Sequence, residues 1–207
     1  MSYDELRERL RSVSFTTVTP FSDDGTRVLH EQLAENVRTL YDEGARVFIP
    51  CGNTGEYYSL AQQERVDVVR TTVEALPDDA TVIGGAGGST QNALELLTAY
   101  EAAGADAAMV MYPRHTYVHE RGPIDYYRTL TEETDLGLVL YKRGPLLSET
   151  VLEELATIDA PTSPMLLPNT SEYRVLTTDR AEPIALRSPK GNDVTPSGEL
   201  ASISLQA

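Results

Sequence analysis

Apolar positions recur along the first three quarters of the chain in two alternating periods. Short apolar, β-branched runs stand at Val13–Val18, Val47–Ile49, Thr81–Ala86, Asp106–Tyr112 and Leu136–Tyr141, the pattern of strands buried on both faces. Between them lie segments with apolar residues at helical spacing: Leu33, Val37, Leu40 and Tyr41; Val66, Val69, Val73 and Leu76; Ala93, Leu96, Leu97 and Tyr100; a stretch over Ile124–Glu133; and Val151, Leu152, Leu155 and Ile158. A short charged helix over residues 3–11 precedes the first strand. Gly44 and Gly104 stand where helices stop, Ser148 opens the last helix, and Ser59 with Gln62 has the spacing of a capping box. Strict alternation of this kind predicts parallel strands covered by crossover helices, either a (β/α) barrel or an open doubly wound sheet.

The pattern stops at Asp159. Residues 1–159 hold 27 acidic and 13 basic residues, whereas residues 160–207 hold 5 and 4, and six of the twelve prolines fall in that last segment. Pro161, Pro164 and Pro168 argue against a helix or a central strand there, so 160–207 reads as an irregular or disordered tail behind a domain of about five βα units. So abrupt a shift is the expected mark of a frameshift or truncation that replaced the original carboxyl-terminal portion.

Charge narrows the partners. A net charge of −15 disfavours nucleic acid and anionic membrane, both of which would repel such a surface. It suits the solvated acidic surface of a salt-adapted protein, or an ordinary acidic one. The single cysteine, Cys51, can form no internal disulfide and makes a zinc site implausible; with no signal-like start and no membrane-length apolar run, a cytoplasmic protein is expected. His115 and His119 are four apart in a loop without a carboxylate partner and read as solvated rather than metal-binding.

The chemistry centres on Pro50-Cys51-Gly52-Asn53-Thr54-Gly55-Glu56, a glycine turn at the carboxyl end of the second strand. Such a turn presents free N–H groups that can hold a carboxylate or phosphate, or it is only a connector. Gly84, Gly85, Gly87 and Gly88 crowd the end of the third strand and permit close backbone approach. On the residues alone, Tyr141 reads as a core aromatic. Arg143, two residues on, shares its face and either binds an anion or is solvated.

Thr19-Pro20-Phe21, Gly52–Glu56 with Ser59-Leu60, the Gly84–Gly88 cluster and Leu138–Tyr141 together resemble the dihydrodipicolinate synthase and N-acetylneuraminate lyase family. The likeness runs from 13 to 158, and Tyr57-Tyr58-Ser59-Leu60 with Tyr141 and Arg143 is most similar to its 5-dehydro-4-deoxyglucarate dehydratase and sugar-acid aldolase branches. The resemblance implies a TIM-type (β/α)8 barrel, here incomplete, that joins or cleaves 2-oxo acids through a lysine Schiff base without a further cofactor. It implies a homo-oligomer, commonly a tetramer. Carried over, Tyr141 becomes the catalytic proton relay. Thr54, with the turn at Asn53 and Gly55, binds the substrate carboxylate, and Arg143 binds a second one. Asn53 stands where many members carry a hydroxyl residue, and the loop at Arg114, His115 and Tyr117 lies where some reach into a neighbouring subunit. The family's lysine belongs to the sixth strand. This chain has only Lys142 and Lys190, neither on such a strand, so an impaired lyase is expected. The alternatives are a non-catalytic remnant or partner subunit of a full-length paralogue, and an unrelated α/β domain using the turn for phosphate.

Overall fold

The computed structural model describes residues 3–112, 119–141, 147–155, 157–158, 165–168 and 173–175. Its strands are β1 (Ser14–Thr16), β2 (Val47–Ile49), β3 (Thr81–Gly87), β4 (Ala107–Met111), β5 (Gly137–Tyr141), β6 (Met165–Pro168) and β7 (Tyr173–Val175). They lie side by side in chain order. The first six are mutually parallel and β7 is antiparallel to β6. The helices are α1 (Tyr3–Arg9), α2 (His30–Asp42), α3 (Gln62–Ala75), α4 (Thr90–Ala102), α5 (Arg121–Glu132) and α6 (Glu149–Leu155).

Strand alternation divides the core in two. Phe48, Ala108, Val110, Leu138 and Leu140 point to one face and pack in a single cluster with Leu33 and Val37 of α2, Val69 of α3, Leu96 and Tyr100 of α4, and Tyr127 and Leu130 of α5. Each of the Val, Leu and Phe side chains, taken fully out of water, contributes about 1.5–3 kcal/mol. The alternate positions Val47, Ile83, Ala107, Met109 and Val139 form a second cluster whose helical member is Leu6 of α1. Helices α2–α5 thus cover one face only, where a doubly wound sheet would carry them on both.

Curvature completes the argument. Three inter-strand steps separate β2 from β5, which in a flat sheet is about 14 Å. Yet the Asn53 amide just beyond β2 lies 3.5 Å from the Tyr141 hydroxyl at the end of β5. The sheet therefore curls around its inner cluster, as the wall of a partial TIM barrel does.

Some boundaries differ from the pattern. β1 is shorter than Val13–Val18, and α4 begins at Thr90 because the Ser89 hydroxyl accepts the Asn92 N–H at 3.2 Å. Ser59 does not cap α3. It closes a 3-10 turn, Tyr57–Ser59, and donates to Glu56, while Glu64 reaches back to accept the Ala61 N–H at 2.8 Å. Within the supposedly irregular tail, Met165–Pro168 extends the sheet beside β5 and Tyr173–Val175 pairs with it. The apolar run Met165-Leu166-Leu167 supplies the strand, and its prolines fall at or outside the ends, where a missing N–H costs least. Arg114, His115, Tyr117, Lys142, Arg143 and Lys190 lie outside the described residues. No helix among the described residues is long and apolar enough to cross a membrane.

Candidate functional site

The glycine turn sits at the carboxyl end of β2, held from three sides. From below, the Gly85 N–H of β3 donates to the Pro50 carbonyl at 2.9 Å. A Cβ at Gly85 would stand 1.9 Å from the Cys51 carbonyl oxygen, so no other residue lets the two backbones lie this close. From β1's side, the Thr19 hydroxyl donates to the Gly55 carbonyl at 2.8 Å. From within, the Tyr57 N–H reaches the Gly52 carbonyl and the Glu56 N–H the Asn53 carbonyl. Cys51 and Glu56 both adopt left-handed backbone, with φ of 57° and 61°. That conformation costs non-glycine residues on the order of 1 kcal/mol each.

These contacts use carbonyls and leave amides over. Among the described residues, the N–H groups of Asn53, Thr54 and Gly55 have no acceptor within the chain. Of the three, Thr54 is exposed, Asn53 half-buried and Gly55 buried. Successive unspent N–H groups make a small positive concavity suited to an anion.

Tyr141 stands across from the turn. It is half-buried beside the inner cluster, and the Asn53 Nδ2 donates to its phenol oxygen at the outer limit of hydrogen bonding. The Asn53 Oδ1 is buried without a partner. An amide that donates to the phenol oxygen leaves the phenolic hydrogen free to donate to another acceptor.

The structure therefore brings together Asn53, Thr54, Gly55 and Tyr141 from 88 residues apart. Arg143 lies outside the described residues. His119 is exposed and accepts the Arg121 N–H at 3.2 Å, closing a local turn. No cluster of metal-ligating side chains occurs among the described residues. Sequence reading missed Thr19 and Tyr100 as supports. Tyr100, buried on α4, donates to the Gly85 carbonyl at 2.7 Å, and its ring fills the space a side chain at Gly84 would need. Thr19 was visible within its Thr-Pro-Phe motif, whereas nothing local marks Tyr100 as more than a core residue. A separate open cleft of about 280 Å³ lies between α4 and α5, lined by Thr90, Tyr112, Asp125 and Tyr126. None of the turn residues borders it.

Burial accounts for the nearby titrations. Desolvation pushes the Cys51 thiol up to about 12, against a small opposing pull from Arg65. Desolvation likewise raises Tyr57 and, more strongly, Tyr100. These groups are uncharged near neutrality.

Fold and site together define a class: the wall of a (β/α) barrel carrying a glycine turn with unspent N–H groups at its strand ends. Comparison with known proteins gives the family. Residues 9–160 match the Dihydrodipicolinate synthetase family, and the chain belongs to it. It is 36% identical over 132 residues to a 4-hydroxy-tetrahydrodipicolinate synthase of Methanothrix thermoacetophila, covering 63% of this chain and 44% of that one. It is 35% identical over 140 residues to a probable 5-dehydro-4-deoxyglucarate dehydratase of Bacillus licheniformis, covering 67% and 45%. The crystal structure of dihydrodipicolinate synthase from Oceanobacillus iheyensis superposes with a TM-score of 0.73 at 33% identity, over 77% of this chain and 53% of that one. The N-acetylneuraminate lyase of Mycoplasma synoviae shares the fold, with a TM-score of 0.66 at 21% identity over 75% and 54%. The chain spans about half the length of these relatives.

Proposed function

We propose that the turn Asn53–Gly55 binds the carboxylate of pyruvate or a related 2-oxo acid, and that Tyr141 serves as the proton carrier at the substrate oxygen. The observation that supports this most is the row of unspent N–H groups at Asn53–Gly55, next to an Asn53 side chain that contacts a phenol 88 residues away in the chain. In this reading the amides and the Thr54 hydroxyl donate to the carboxylate oxygens. Asn53 cannot relay a proton as a hydroxyl can, so it orients Tyr141 instead, and the phenol gives and takes the proton. Arg143 is assigned to a second carboxylate, as a sugar acid would carry.

Cleavage or condensation through a Schiff base needs an amine; β6, the strand to which the family's lysine belongs, reads Met165-Leu166-Leu167-Pro168 without one, and the chain's two lysines, Lys142 and Lys190, stand elsewhere in the sequence. We therefore assign a lyase-derived protein of impaired turnover, working in the cytoplasm as a homo-oligomer. A second reading, a non-catalytic partner of a full-length paralogue, draws on the family match that spans about half of each relative.

Titration with pyruvate, followed by amide NMR, tests the binding. Shifts confined to 53–55 and Tyr141, weakened roughly 10-fold or more in Thr54→Val by loss of a hydrogen bond to a charged group, are expected. An unaltered Thr54→Val titration would sink the assignment. Borohydride treatment with pyruvate, read by intact mass, should leave no adduct; an adduct on Lys142 or Lys190 would restore full lyase chemistry while leaving the carboxylate site intact.

A further inference from the structure

The two halves of the site stand on β2 and β5, and one row of the sheet's inner face lies between them. Register sets Gly85 of β3 beside Met109 of β4, and Met109 beside Val139 of β5. Tyr141 follows Val139 by one strand period and so shares its face. Gly85 brings no side chain to this row, because the Cys51 carbonyl lies where its Cβ would stand. Met109 is therefore the side chain that fills the row between the turn and the strand of the phenol.

Its thioether reaches the turn itself. A Cβ built on Gly52 would meet the Met109 Cε at 3.3 Å, nearer than the Ile49 Cγ2 at 3.9 Å. Met109 is buried in the cluster of Val47, Ile83, Ala107 and Val139, and Tyr141 packs against that same cluster. From the opposite end, Leu6 of α1 closes the cluster. Arg9 fixes that helix at the start of β3, donating to the Asp79 carbonyl and the Thr81 hydroxyl, each at 3.3 Å. The inner column is thus held by a helix at the amino ends of the strands and by the glycine turn at their carboxyl ends.

We propose, extending the carboxylate reading above, that Met109 is a positioning residue whose thioether end sets the separation between the Asn53–Gly55 turn and Tyr141. An unbranched, polarizable side chain suits a gap left irregular where Gly52 and Gly85 lack side chains. The tolerance is small. The Asn53 contact with Tyr141, at 3.5 Å, already lies at the limit of hydrogen bonding, so a shift of either partner by a fraction of an ångström breaks it. Gly52 does not have a positive φ, and alanine there adds chiefly the contact with Met109.

Methyl NMR tests this without ligand. The chain has four methionines, and the Met109 Cε signal is assigned by its loss in Met109→Leu. Gly52→Ala should displace that signal together with the Tyr141 ring resonances, and the displacement at Tyr141 should vanish when Gly52→Ala is made on Met109→Ala. Met109→Ala should weaken pyruvate binding roughly 10-fold or more, because a site held too loosely loses its pre-organisation. Leu130→Ala, a cavity on the α5 side of the sheet, should change binding about twofold or less, and Met109→Leu, close in volume, should bind as the parent does. If Met109→Ala does not fold, Met109→Val takes its place in both comparisons. Tyr141 resonances indifferent to Gly52→Ala, a displacement that persists without the thioether, or equal weakening by Met109→Ala and Leu130→Ala would each overturn the proposal. A parent protein that binds no pyruvate would sink the carboxylate reading, while the ligand-free spectra would still decide the role of Met109.

Discussion

Cys51 is a nucleophile by composition and inert by placement. It lies fully buried beneath the turn, in a left-handed conformation, with its thiol directed at the Arg65 carbonyl at 3.6 Å. With its pKa raised to about 12 by desolvation, the thiolate population at pH 8 is on the order of a thousandfold below that of a free thiol. Iodoacetamide at pH 8 should leave the native protein unmodified and label it only after denaturation; rapid native labelling would show that the turn opens. The same shift fixes a sign. The folded thiol keeps its proton where the unfolded one, with the ordinary value near 9, releases it. Stability from this group is therefore complete below pH 9 and declines as pH rises from 9 toward 12. Residue-level reading places Cys51 at the end of the second strand. It could not anticipate the positive φ, because non-glycine residues reach it only when tertiary contacts impose it.

At the scale of elements, the turn depends on α4 through one hydroxyl. Tyr100 donates to the Gly85 carbonyl, Gly85 donates to the Pro50 carbonyl, and Pro50 leads into the turn. Tyr100→Phe keeps the ring against Gly84 and leaves a buried carbonyl with one partner fewer, a loss of about 1–3 kcal/mol. Thermal unfolding should register that loss, and pyruvate binding should weaken beyond what a distant core substitution of equal destabilisation produces. Equal binding in both variants would reduce Tyr100 to ordinary packing. Periodicity located every helix and the first five strands, since burial on one face writes itself directly into spacing. It failed where a contact replaced a local signal, as at Ala61, which owes its capped N–H to Glu64 and not to Ser59. The β6 strand is hidden for a related reason: Pro161, Pro164 and Pro168 argue against a central strand, yet Pro164 and Pro168 only delimit one. The meeting of Asn53 with Tyr141 depends on sheet curvature, which no stretch of local sequence encodes.

For the molecule as a whole, charge and ion pairing pull apart. The ion pairs seen among the described residues are partly or largely exposed, and most join residues three or four apart in sequence. Such pairs contribute about 0–1 kcal/mol each and lose little when screened. The unbalanced charge of −15 acts over the entire surface and is screened within about 3 Å at 1 M salt. Repulsion should therefore dominate, and Tm should rise between 0.1 and 2 M potassium chloride. A flat or falling Tm would mean that the acidic groups are already locally compensated.

Strand order that repeats chain order also governs how the molecule is made. Each strand from β2 to β7 hydrogen-bonds the one synthesised just before it, so every βα unit emerging from the ribosome finds its docking site already exposed. Folding can thus advance from the amino terminus, closing short loops whose entropic cost stays low. The growing edge is renewed with each strand, so each unit docks against the last one made.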